Sequence, residues 1–84
     1  MKKSMRLILS GSLQPMFFLP YVKEEAIKLN VRGFVRELED KRIEVFIEGD
    51  STAVEAMIPK CKTGPYNTKI RNAEQKDERF QDFK

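Results

Sequence analysis

The fold is indicated first by the stretch Arg42-Ile43-Glu44-Val45-Phe46-Ile47-Glu48, which alternates between two sets of side chains. Its three aliphatic residues fall on one side of an extended chain, and its two glutamates and Phe46 fall on the other. This pattern predicts a half-buried β-strand over residues 42–48. Residues 31–38 predict another strand and residues 39–41 a turn, so we expect the two strands to form a hairpin.

Upstream of the hairpin, residues 5–13 are rich in aliphatic side chains and predict a first strand. A helix is predicted over residues 20–29, because the fixed φ of Pro20 suits a first helical position. Asn30 follows as a suitable left-handed residue to end this helix. The spacing i, i+4 and i+7 predicts one apolar helix face. That face consists of Val22, Ala26 and Leu29.

Downstream of the hairpin, a second helix is predicted after Gly49, where Thr52 and Glu55 have the spacing of a capping box. Pro59 predicts a kinked or short helix, because proline removes a backbone donor and collides with the preceding turn. Gly64 and the proline after it end the helix. The apolar stripe of the helix consists of Val54, Met57, Ile58 and Cys61.

The last part of the chain carries weaker patterns. Residues 68–71 predict a fourth strand, residues 73–79 a polar connection, and residues 80–84 the beginning of a last edge strand. The resulting order, β-α-β-β-α-β, predicts an α+β protein with a ferredoxin-like sandwich. We therefore expect a single domain over residues 1–84, with two helices on one face of a four- to five-stranded antiparallel sheet.

Composition excludes several kinds of site. The chain has no histidine, which excludes a Ser-His-Asp triad, a Cys-His pair and any zinc site that uses histidine. The single cysteine cannot form an internal disulfide, and Cys61 is expected in the core rather than as a nucleophile. A formal charge of +3 with a pI near 9.1 is weak evidence for a nucleic-acid partner.

The amino terminus begins with the basic residues of a signal peptide, but only three aliphatic residues follow before Ser10. That run is too short for an apolar signal region. No stretch approaches the roughly 20 apolar residues of a membrane span. We therefore expect a soluble, cytoplasmic protein without a membrane association.

Two segments together carry a resemblance. The first is Gly11-Ser12-Leu13-Gln14-Pro15-Met16-Phe17-Phe18-Leu19, and the second is Gly33-Phe34-Val35-Arg36-Glu37 with Gly49 at a set distance beyond it. They resemble the two signatures of the acylphosphatases, a Gly-x-Val-Gln-Gly-Val-x-Phe-Arg loop and a Gly-aromatic-Val-Arg-Asn segment. The similarity extends from residue 6 to residue 70.

The resemblance implies a site in which the amides of the loop and an arginine hold the phosphate, while an asparagine orients the attacking water. It implies neither a metal nor a cofactor. In this sequence the arginine position is Leu19, the asparagine position is Glu37, and the second glycine of the loop is Pro15. A position that is often glycine in the family is Phe17.

These departures predict a vestigial phosphate loop, without catalytic residues, in a chain that does not hydrolyse acyl phosphates. The loop consists of Gln14, Pro15, Met16, Phe17, Phe18 and Leu19. We expect a monomeric binding module for a protein or small-molecule partner, with an apolar plug or docking surface at the loop.

Two alternatives stay open. The first is an active or weakly active acylphosphatase, in which Lys2, Lys3, Arg6 or Arg36 replaces the missing cation. The second is a nucleic-acid-binding domain that uses aromatic residues on the open sheet face.

Overall fold

The chain forms a four-stranded sheet and two helices in the computed structural model, which describes residues 1–65 and 68–79. The elements are β1 (Lys2–Ser12), α1 (Pro15–Lys28), β2 (Arg32–Glu37), β3 (Ile43–Asp50), α2 (Ser51–Thr63) and β4 (Lys69–Glu78). The strand order is β2-β3-β1-β4, and every neighbouring pair is antiparallel. This confirms the predicted ferredoxin-like sandwich. The predicted segment over residues 80–84 lies outside the described residues.

The core lies between the sheet and the two helices. Alternation along β1 buries Met5, Leu7 and Leu9 on the helix side, next to the aliphatic residues of β3. Each helix contributes its predicted stripe, which confirms Cys61 as a core residue. The fully buried helix residues are Phe18, Val54, Met57 and Cys61. Burying these side chains supplies the main favourable free energy of folding, about 1.5–3 kcal/mol for each large apolar residue.

Helix α1 begins five residues earlier than predicted. Pro15, rather than Pro20, is its first residue, and Pro20 lies inside the helix. Because Pro20 is exposed, the backbone carbonyl that loses its donor one turn earlier can bind water instead. The end of the helix is as predicted, since Asn30 has a φ of +57°.

Helix α2 also differs from the prediction at its start and at its proline. Asp50 is the N-cap residue and makes no side-chain capping bond, so the predicted capping box of Thr52 and Glu55 is wrong. The helix continues through Pro59 and is not short, since it has 13 residues in all. Pro59 is exposed, so water can again satisfy the freed carbonyl.

Strand β3 is more buried than predicted, and strand β4 is longer than predicted. Strand β3 is buried on both faces, since Glu44, Phe46 and Glu48 are as inaccessible as the aliphatic residues between them. Strand β4 is one strand of ten residues, and the polar connection predicted over residues 73–79 is wrong. The sequence pattern did not predict the full length of β4, because its side chains are mostly polar. The strand is stabilised by backbone hydrogen bonds to β1 rather than by an alternation of apolar residues.

Candidate functional site

The candidate site is the connection from β1 to α1. Only Leu13 and Gln14 separate the two elements. Strand β1 approaches the connection through a bulge between Ser10 and Gly11 in its pairing with β4. Gly11 has a φ of +142°, and a Cβ there would overlap the backbone carbonyl of Lys69. Glycine is therefore needed at the start of the connection. The sequence analysis missed the bulge, although a glycine inside an aliphatic strand is a signal for one.

The backbone amides of the loop are largely used within the chain. The amides of Phe17 and Phe18 both donate to the carbonyl of Gln14, at 2.9 and 2.8 Å. Pro15 has no amide hydrogen. Among the described residues, Met16 retains the first-turn amide that has no backbone acceptor. The arrangement thus offers few donors to an anion.

The side chains of the loop divide between the core and the solvent. Phe18 is completely buried and lies 6.2 Å from Tyr21, measured between ring centroids. Leu19 is half-buried and packs against the core. Met16 and Phe17 are 78% and 57% exposed. The loop therefore has an apolar residue in its interior at the expected cation position, and apolar residues on its surface.

Glu37 lies at the same end of the sheet as the loop. It is the last residue of β2 and pairs with Ile43 of β3, which pairs in turn with Leu9 of β1. Strand spacing places the backbone of Glu37 about 10 Å from that of Leu9. The register also places Glu37 on the helix side of the sheet, and its side chain is exposed. The structure thus brings Glu37 to the loop end, as the resemblance implies.

The four cations considered as replacements are paired elsewhere. Lys2 and Lys3 lie at the far end of β1 and pair with Asp50 at 3.1 Å and with Glu55 at 3.8 Å. On the open sheet face, Arg36 pairs with Glu44 at 2.5 Å, and Arg6 pairs with Glu44 and with Glu78. None of these side chains is directed to the loop.

A different cation lies closer to the loop in the sheet register. Lys69 of β4 pairs with Ser12, the last residue of β1. Its side chain is exposed, and it forms no ion pair with another described residue. Only the bulge and the register of β4 place it beside the end of β1.

Metal and thiol chemistry receive no support from the arrangement. Within residues 1–65 and 68–79, no cluster of three His, Cys, Asp or Glu side chains is placed to bind a metal ion. Burial raises the pKa of the Cys61 thiol to about 12, so the reactive thiolate is scarce near neutral pH. In the same part of the chain, no helix is long and apolar enough to cross a membrane.

Comparisons with known proteins agree with the fold. The acylphosphatase family profile matches residues 5–84. An acylphosphatase of Rubrobacter xylanophilus is 36% identical over 76 residues, which cover 90% of this chain and 69% of the relative. An acylphosphatase of Syntrophus aciditrophicus is 31% identical over all of this chain and 92% of the relative. The solved structure of an acylphosphatase from Coxiella burnetii superimposes with a TM-score of 0.90 at 21% identity, over 98% of this chain and 86% of that one. The chain belongs to the acylphosphatase family.

Proposed function

We propose that this family member has lost acyl phosphate hydrolysis and serves as a binding module. The observation that carries the proposal is the position of Leu19, an apolar side chain packed against the core where the family motif has an arginine. A guanidinium offers charge and two parallel donors to a phosphoryl group, and leucine offers neither. We also infer a cytoplasmic location, because the one thiol of the chain is unpaired.

The charge at Glu37 supports the same conclusion. A carboxylate at the loop end faces an anionic substrate. Two unit charges about 4 Å apart repel by roughly 4 kcal/mol at an effective dielectric constant near 20. The missing amide of Pro15 and the internal bonds of the Phe17 and Phe18 amides remove further stabilisation. Each lost donor typically costs about 2.7–4 kcal/mol in the transition state.

A second candidate function is weak hydrolysis that relies on Lys69. The position of Lys69 next to Ser12 favours it, because a cation there can reach an anion at the loop. Beyond the register shift, pairing with Ser12 places Lys69 on the open sheet face, whereas Glu37 lies on the helix side. Lys69 is therefore a poorer substitute than a cation at position 19.

The open sheet face offers little to a nucleic acid. Phe46 is only 1% exposed, and Phe34 stacks on it with ring centroids 5.6 Å apart. A base therefore has no free ring of Phe46 on which to stack. Arg6 and Arg36 of this face are paired with buried Glu44, whose charge also disfavours phosphates.

The test is hydrolysis of benzoyl phosphate by the purified chain. We expect no turnover above the uncatalysed rate. The double variant Leu19→Arg with Glu37→Asn should gain activity, by about 10²-fold or more over the wild-type background, because each restored group stabilises the transition state. Adding Pro15→Gly should raise the rate again by returning an amide.

The matched control is Leu29→Arg with Glu55→Asn. Leu29 is also half-buried against the core, and Glu55 is also exposed. Leu29 follows the last residue of α1 and Glu55 pairs with Lys3 at the far end of β1, so both lie away from the loop. This control should remain inactive while it reports any loss of stability. Wild-type turnover well above background that disappears in Lys69→Ala would contradict the proposal and support the second candidate.

A further inference from the structure

Helix α1 has exposed apolar side chains on the side that faces away from the core. Met16 and Ile27 are each 78% exposed, and Phe17 is 57% exposed. Pro20 lies between them and is exposed as well. The spacings of four and eleven residues place Met16, Pro20 and Ile27 within about 40° of one another around the helix axis. The outer stripe of α1 is defined by Met16, Phe17, Pro20 and Ile27.

The outer stripe lies opposite the side of α1 that packs on the sheet. Phe18 and Val22 are buried, and each is two residues, or about 200° around the axis, from Met16 or Pro20. A surface helix normally has charged and polar residues on its outer side. Because α1 is apolar on both sides, part of its apolar surface remains in water in a single copy of the chain. Contiguous exposed apolar residues commonly mark a surface for interaction.

The charged residues next to the outer stripe carry both signs. Lys23 lies on the same side of the helix as the stripe and forms no ion pair in the described part of the chain. Glu24 pairs with Lys28 at the long distance of 3.8 Å. Two cations and one anion do not form the cluster of about four or more Lys and Arg that anionic lipids select. A partner with charges of both signs fits this face better, and a second copy of the chain is such a partner.

We propose that the outer stripe of α1 binds the same stripe of a second copy, with the two helices antiparallel around a twofold axis. An axis halfway between Met16 and Ile27 places Met16 and Phe17 against the partner's Ile27 at one end of the contact. The symmetry repeats this contact at the other end. Association then removes apolar surface from water in both copies, which is the main driving force for such binding.

The same axis brings opposite charges together. It places Lys23 opposite the partner's Pro20, at about 6 Å along the helix from the partner's Glu24. A lysine side chain can span such a distance while its methylene groups stay over apolar surface. The symmetry forms this ion pair twice, once from each copy. The charges of the face are therefore complementary to those of a second, antiparallel copy.

Self-association through the outer stripe goes beyond the proposed function and does not depend on it. The stripe includes neither Leu19 nor Glu37, so the dimer and the loss of benzoyl phosphate turnover can each fail without the other. The sequence predicts a monomer, and the dimer departs from that prediction. Two helices of 14 residues form a small contact. Because interfaces that bury less than about 1,200 Å² are often weak, we expect the dimer at high protein concentration.

The test is sedimentation equilibrium of the purified chain from about 10 µM to 1 mM, a range that suits weak association. We expect the mean mass to rise with concentration from 9.8 kDa toward twice that value. Ile27→Gln should weaken the dimer about tenfold or more, because it removes an apolar contact at both ends of the interface. The fold should persist, since the side chain is exposed, and an unchanged Tm at low concentration checks this.

Two charge variants test the antiparallel arrangement. Lys23→Glu and Glu24→Lys should each weaken the dimer by about fivefold or more, because each variant brings like charges together twice. An equimolar mixture of the two variants should associate as well as the wild type, since each supplies the charge that the other lacks. Lys76→Glu is the matched control and should dimerise like the wild type. It makes the same change of charge on the open sheet face, on the other side of the sheet from α1.

A different set of outcomes would overturn the proposal. The dimer is ruled out if the wild type remains monomeric up to about 1 mM. A dimer that Ile27→Gln does not weaken would place the contact elsewhere on the surface. A mixture of charge variants that associates no better than its components would contradict the antiparallel pairing. Cosedimentation with phosphatidylserine vesicles that Ile27→Gln abolishes, without self-association, would assign the outer stripe to a lipid surface instead.

Discussion

Gly33 shows how one residue determines the contact between two strands. Its φ is +142°, and a Cβ at this position would overlap the backbone carbonyl oxygen of Phe46 in β3. Gly33→Ala must therefore either strain the backbone or separate β2 from β3. We expect it to lower the free energy of unfolding by about 2 kcal/mol or more, as measured by urea denaturation.

Gly49→Ala is the matched control for this prediction. A Cβ at Gly49 would make ordinary contacts, at 3.6 Å from the carbonyl oxygen of Asn30 and 3.7 Å from Val31. It should therefore cost much less than Gly33→Ala. An equal loss of stability in the two variants would show that the close approach of β2 to β3 does not require glycine.

At the scale of elements, one cluster joins α1 to α2. Glu25 of α1 accepts from Lys60 of α2 at 3.0 Å and from Lys28 at 3.2 Å, and the hydroxyl of Tyr21 donates to the carbonyl of Lys60 at 3.1 Å. The hydrogen bonds from Lys60 and Lys28 hold the pKa of the Glu25 carboxyl below its ordinary value of 4.5. The same contact with Glu25 raises the pKa of Lys60.

The sign of the pH effect follows from the direction of the Glu25 shift. Because the folded pKa is depressed, the stabilisation is fully present above pH 4.5 and is lost as the pH falls through the lower folded value. Glu25→Gln should lower Tm modestly at neutral pH, and the difference from the wild type should shrink as the pH falls below 4.5. Thermal unfolding followed by circular dichroism at a series of pH values measures this.

Glu24→Gln is the control on the same helix. Glu24 is exposed and, among the described residues, pairs only with Lys28, at 3.8 Å, on the same helix. The Tm of Glu24→Gln should stay close to that of the wild type across the same pH series, because such surface ion pairs contribute little to stability. A Tm loss in Glu25→Gln that is constant with pH would contradict an ionic origin.

At the scale of the whole molecule, an ion-pair network crosses all four strands. Glu44 of β3 lies between Arg36 of β2 and Arg6 of β1, and Arg6 also reaches Glu78 of β4. The Glu44 side chain is only 6% exposed. Glu44→Gln removes the central charge and replaces one of its two accepting oxygens by an NH2 donor, so only one arginine keeps an acceptor at position 44. We expect a loss of about 1–3 kcal/mol in the free energy of unfolding, since both arginines can still reach water.

Glu74→Gln is the comparison on the same sheet. Within residues 1–65 and 68–79, Glu74 pairs only with Arg42, at 3.6 Å, and it is largely exposed. Its removal should change the free energy of unfolding by less than about 0.5 kcal/mol in the same urea titration. If both variants lose equally little, the network contributes nothing beyond ordinary surface pairs.

The sequence alone was sufficient for the architecture. Apolar residues at alternating positions in β1 and β3, and at three- and four-residue spacing in the helices, specify which faces must be buried, and that leaves few arrangements of six elements. The two motif segments also identified Leu19 and Glu37 as the residues at the arginine and asparagine positions of the family motifs. That Leu19 has neither a charge nor a side-chain donor follows from the residue type alone and requires no coordinates.

Tertiary structure decided what local patterns do not encode. Two prolines are candidates for the start of α1, and the helix begins at Pro15, with two residues between it and the end of β1. Strand β4 has no apolar alternation and exists because β1 pairs with it. Arg36 and Arg6 pair with Glu44 across strands, and Lys69 lies beside Ser12, through register alone. Such contacts join residues distant in sequence, and only the folded sheet brings them together.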